Sequence, residues 1–110
     1  NVLKGKILDV VIDLRKKSKT FGKSFKIILS SENATSLYIP EGFGHAYYSF
    51  NTVNIIYYKL SNYYKPQFEN GINVMDKDLK IKWPKKRFFL SKKDKNLMTF
   101  KEFCNSQKFL

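Results

Sequence analysis

The 110 residues carry 21 Lys and Arg against nine Asp and Glu, a formal charge of +12, with one cysteine and one histidine. A chain of this size buries one modest core and is too short for two, and its ordinary apolar content argues against disorder. The lone Cys104 and lone His45 exclude a disulfide framework and a metal centre built from His and Cys; no apolar run is long enough to cross a bilayer, so the expectation is a cytoplasmic protein without a membrane partner.

The first element in chain order is the apolar run Lys6–Leu14, punctuated by Asp9 and Asp13 and β-branched at its centre. It reads as a strand buried on much of both faces. A basic connection, Arg15–Lys19, leads through Phe21-Gly22 to Ser24–Ser30, which alternates with Phe25, Ile27 and Leu29 on one side and reads as a second strand. Ser30–Ser36 is loop-like, and Leu37–Ile39 is expected to form a short strand. Asn33-Ala34-Thr35 matches a glycosylation acceptor, but nothing else in the chain suggests secretion.

The chain is organised around Leu37–Tyr64, which holds the histidine, the tyrosines and a turn rich in Pro and Gly. Pro40 fixes φ at a turn position, while Gly42 and Gly44 allow bends that a side chain would obstruct, so that His45 is delivered to the start of a strand. Two aromatic, β-branched runs follow, roughly 45–50 and 53–59, separated by Asn51 and Thr52. A hairpin closed by those two residues pairs Phe50 with Val53 and, counting outward, His45 with Tyr58. That register sets an imidazole and a phenol side by side on one face.

Ile72 and Val74 read as a short strand, Asp76-Lys77-Asp78 as a turn, and Ile81 and Trp83 as apolar anchors, with Pro84 ending any pairing by Trp83. Leu90–Asp94 reads as a charged loop. In the tail from Asn96, Thr99 followed by Glu102 is a capping box, and Phe100, Phe103 and Cys104 would form one face of a short helix. Closely spaced strands with turn signals and no long amphipathic helix predict an all-β antiparallel sandwich or barrel. One domain is expected, residues 1–95 forming the β unit and 96–110 a helical tail packed on it.

These residues together resemble the dTDP-4-dehydrorhamnose 3,5-epimerase family of small cupin barrels. The resemblance runs from Lys4 to Asp94 and rests on Gly5–Arg15, Thr20-Phe21-Gly22, Leu29–Asn33, Tyr38–His45, Tyr58-Lys59 with Tyr63-Tyr64, and Leu90–Asp94. It implies a nucleotide-diphosphate-linked 4-keto-6-deoxy sugar as substrate, inverted at C3, C5 or both without cofactor or metal, and a homodimer. By position, Tyr58 falls on the proton donor and Asp94 on the carboxylate that orients the catalytic histidine. His45, Tyr64, Glu69 and Lys93 fall on substrate contacts.

The family's base is a histidine upstream of the residues matching Asn1, so the chain is expected to be a piece of something longer. His45-Ala46-Tyr47 departs from the family's usual His-Gly-aromatic. The alternative is a non-catalytic cupin that binds sugar nucleotide or a protein partner. Nucleic acid is not the expected partner, because stacking needs tyrosines on an open surface and the strand pattern turns several inward.

Overall fold

A computed structural model describes residues 1–60, 71–84 and 89–105. Five antiparallel strands form two sheets: β1 (Val2–Lys4) pairs with β5 (Ile55–Ile56), and β2 (Lys6–Asp13) lies between β3 (Ser24–Ser30) and β4 (Phe43–Ser49). Two short helices follow, α1 (Lys92–Lys95) and α2 (Phe100–Asn105). Among the described residues no helix is long and apolar enough to cross a membrane.

The position of β2 follows from its composition. Ile7 and residues Asp9 to Asp13 are all buried, as a central strand covered on both faces requires. One face of β2, through Ile7, packs with Val2 and Leu29 and with the partly buried Ile27, Leu37 and Ile56. That cluster joins the two sheets. The other face sets Val10 and Ile12 against Leu79, with Leu8, Leu14, Ile72, Ile81, Trp83 and Phe100 around them. The two clusters divide the strand's alternation between them.

The predicted hairpin does not form. β4 pairs with β2, placing His45 opposite Val11, while the run after it pairs with β1 through Ile56 opposite Val2. The reason lies in Asn54 and Gly5. The Asn54 side chain accepts a hydrogen bond from the Lys6 amide (3.0 Å) and donates to the Asn51 carbonyl (2.8 Å). It fills the bend made by Gly5 at φ 94°, where a Cβ would lie 2.2 Å from Asn54 Oδ1. The chain leaving β4 is thereby steered onto the other sheet instead of folding back on its own strand.

Three smaller expectations also change. Leu37–Ile39 runs without strand pairing, and Ile72 makes a single parallel bridge to Met98 in place of a strand with Val74. The charged segment Leu90–Asp94 runs into α1 instead of remaining a loop, because the Ser91 side chain accepts a hydrogen bond from the Asp94 amide (3.1 Å) and caps the helix. The Thr99 half of the predicted capping box forms at α2: Thr99 Oγ1 accepts from the Glu102 amide at 3.1 Å. Phe103 is buried there and Phe100 packs on the second cluster, whereas Cys104 is exposed and lies off the apolar face. Asp76 links this end of the chain, accepting from Asp78 N with one oxygen and from Phe100 N with the other, each at 2.8 Å.

Candidate functional site

β4 owes its register to the turn before it. Gly42 has φ 88°, and a Cβ there would lie 2.6 Å from Cγ of Arg15; at Gly44 one would meet Leu14 Cδ1 at 2.9 Å. The two glycines let the incoming chain close onto the end of β2, where the Gly42 carbonyl accepts from the Leu14 amide at 3.0 Å. From that anchor the alternation of β4 puts Phe43, His45 and Tyr47 on the face of β2 that carries Asp9, Val11 and Asp13.

His45 Nε2 lies 2.5 Å from Asp9 Oδ1, with the imidazole side chain 42% exposed and the carboxylate 6%. Oδ1 is buried and accepts no hydrogen bond among the described residues; the imidazole approaches it as an ion-pair contact only. The Tyr47 ring sits beside the imidazole, centroids 6.2 Å apart. Asp9 was not legible as a site residue in the sequence. The available signal was an acid inside a continuous β-branched run, where a buried carboxylate is costly unless something uses it.

His45 borders a cleft of about 1430 Å³ between β4 and the segment from Gly71 to Leu97. Lys93 and Asp94, carried on α1, line the same cleft, so three of the predicted site residues share one hollow despite their separation in sequence. The walls between them are largely apolar, including Ile72, Trp83 and Leu90. Tyr58 stands apart: it follows β5, is 71% exposed, does not line the cleft and is not the cross-strand neighbour of His45. Tyr64 and Glu69 lie outside the described residues.

A second charged group anchors the loops at the mouth of the sheet. Asp13, buried at the end of β2, accepts from the Arg15 amide, Nε and Nη2 at 3.0 Å each, from Ser18 Oγ at 2.6 Å and from Thr20 Oγ1. The Arg15 guanidinium holds the Asp13 carboxyl well below the usual carboxylate range; burial opposes this, and the two hydroxyls reinforce it. A depressed carboxyl stabilises the fold above the ordinary value near ~3.9, and the contribution is lost as pH falls toward the folded-state value. The urea midpoint is therefore expected to drop as pH is lowered below about 4. In Asp13→Asn the midpoint should be lower at neutral pH and that part of the acid slope should be gone; an unchanged slope would assign acid sensitivity to other groups.

Comparison with known proteins gives a consistent result. The sequence model of a family described as dTDP-4-dehydrorhamnose 3,5-epimerase matches residues 1–102. The chain is 38% identical over 104 residues to the dTDP-4-dehydrorhamnose 3,5-epimerase of Methanothermobacter thermautotrophicus, covering 92% of this chain and 56% of that one. It is 42% identical over 96 residues to the enzyme of the same name from Shigella flexneri, covering 87% and 53%.

Among solved structures, the dTDP-4-dehydrorhamnose 3,5-epimerase of Elizabethkingia anophelis superposes with a TM-score of 0.88 at 36% identity, covering 93% of this chain and 57% of that one. The Legionella pneumophila dTDP-6-deoxy-D-glucose-3,5-epimerase, in complex with dTDP-4-keto-L-rhamnose, gives 0.85 at 38%, covering 90% and 53%. The chain thus spans about half the length of the relatives it matches. The fold is the antiparallel cupin type of these neighbours.

Proposed function

Because the chain belongs to the dTDP-4-dehydrorhamnose 3,5-epimerase family, we propose that the full-length protein inverts C3, C5 or both of a nucleotide-linked 4-keto-6-deoxy sugar, in the making of sugars for surface polysaccharide. The observation that carries the reading, beyond membership, is that His45, Lys93 and Asp94 converge on one cleft. A proton next to the C4 ketone is acidic because its loss gives an enolate. A base on one face of the ring removes it, and an acid on the other face returns a proton with inverted configuration.

In this reading Tyr58 is the acid, and His45 and Lys93 hold the substrate together with Tyr64 and Glu69. Asp94 orients a histidine contributed from upstream of Asn1, the base–orienter relation of a triad. No cofactor or metal takes part, and the enzyme works as a homodimer. The formal charge of +12 adds a long-range attraction for a diphosphate, one that salt weakens.

The test is proton exchange. The full-length protein, incubated in deuterated water with dTDP-4-keto-6-deoxyglucose, is expected to place deuterium at C3, C5 or both at a rate proportional to enzyme. Binding of the sugar nucleotide without any exchange would leave a cupin that holds the ligand and performs no chemistry, and would overturn the reading.

A further inference from the structure

Three segments far apart in the chain meet around the ring of Phe100: the loop after β2, the 3-10 turn Lys77–Leu79 and α2. Phe100 stacks with Phe21 of the loop, centroids 5.6 Å apart, and packs with Leu79 of the turn on Val10 and Ile12. Phe103 of α2 stacks with Phe21 as well, at 6.4 Å. The rings of these segments are turned toward one another, and what the segments present to solvent is charge. Exposed lysines stand on all three: Lys17, Lys19 and Lys23 on the loop, Lys77 and Lys80 at the turn, and Lys101 on α2. The acids around them balance little of it. Asp13 is buried and bound by Arg15, and Asp76 accepts backbone amides with both oxygens, which leaves Asp78 and Glu102 exposed.

We propose that this lysine face docks the protein on an anionic lipid bilayer. A lysine ammonium is a compact, hydrated point charge on a flexible stem, suited to many mobile phosphates rather than to one planar partner. Arg15, the side chain that would read a base edge or grip a phosphate in two places, already holds Asp13 through Nε and Nη2 at 3.0 Å each. The rings that would stack on bases, Phe21, Phe100 and Phe103, stack on one another. α2 is six residues long and offers no recognition helix for a duplex groove. A bilayer asks for none of these features. It needs several lysines on one side of the molecule, each strengthening attachment about fivefold. The expectation of no membrane partner rests on the absence of a spanning segment, which bears on insertion and not on attachment by surface charge. The inference is independent of the sugar-nucleotide reading, since none of these lysines lines the cleft.

The test is flotation of the full-length protein with lipid vesicles. The protein is expected to rise with vesicles of equal parts phosphatidylglycerol and phosphatidylcholine, to stay behind with phosphatidylcholine alone, and to be released by sodium chloride, because salt screens exposed charge. Removing one lysine from each segment, in Lys19→Gln/Lys80→Gln/Lys101→Gln, should weaken binding roughly a hundredfold. Lys4→Gln/Lys6→Gln/Lys59→Gln removes the same charge at the other end of β2, around the Gly5 bend, and should weaken it far less. All of these positions are exposed, so both variants should keep the native thermal midpoint.

Equal losses in the two triple variants would mean that net charge is recognised and not this face, and would overturn the inference. So would equal flotation with phosphatidylcholine alone, or no flotation with the anionic vesicles, results that need no variant. Competitors decide the class of ligand. At equal phosphate and constant ionic strength, duplex DNA should take less of the protein than the anionic vesicles do, and inorganic phosphate should release none of it. Capture of most of the protein by DNA would reassign the face to nucleic acid, and release by inorganic phosphate would reassign it to the free anion.

Discussion

Tyr58→Phe in the full-length protein is expected to lower the epimerisation rate by about 10² to 10⁴, the usual contribution of a positioned proton donor, while nucleotide-sugar binding is largely retained. The substitution removes one oxygen and keeps the ring. A phenol with an ordinary pKa near ~10 is a weak acid toward water, so it contributes only where an enolate of comparable basicity forms beside it. Loss of the hydroxyl therefore acts on turnover and not on recognition. The structure makes the experiment a clean one: Tyr58 is 71% exposed beyond the end of β5, and a surface change of this kind moves stability by no more than about 0.5 kcal/mol. Lost activity could not then be ascribed to unfolding. Full turnover in Tyr58→Phe would remove the residue from the mechanism and send the search for the acid to the residues that line the cleft.

The parts of this fold that were legible in the sequence are those set by local pattern. The buried run of β2, the alternation of β3, the Pro-Gly turn before His45 and the Thr99–Glu102 cap are all read from residues within a few positions of one another, and each forms. What could not be read is the choice of partner between distant strands. Two aromatic runs separated by Asn51-Thr52 satisfy every local rule for a hairpin. The outcome was decided by Asn54 bonding to Lys6 across the Gly5 bend, a contact between residues 48 positions apart. The same limit hid Asp9: its significance depends on the β2–β4 register that brings His45 diagonally across from it. The three residues that gather on the cleft were found through resemblance, and folding explains their meeting, since α1 is capped by Ser91 and carries Lys93 and Asp94 against the space beside β4.

The packing between the two sheets yields the other large expected effect. Ile7→Ala should lower the unfolding free energy by about 2 to 5 kcal/mol, read as a fall in the urea midpoint with little change in slope. Ile7 is 1% exposed and shares its cluster with Val2 of β1 and Leu29 of β3, with Ile56 of β5 packed against them. Truncation therefore empties space that belongs to both sheets at once. β1 and β5 are short and pair with a register irregularity, so hydrogen bonding alone holds their sheet weakly and the apolar contact with β2 supplies most of its attachment. Against a domain stability of about 5 to 15 kcal/mol, a loss of that size is a substantial share. The matching change at Ile55, 48% exposed on the same small sheet, should shift the midpoint far less. Equal effects at the two positions would mean that the sheets are joined by something other than the Ile7 cluster. A dominant effect at Ile7 would identify β2 as the strand that anchors the small sheet and, two residues further along, carries the Asp9 carboxylate to His45.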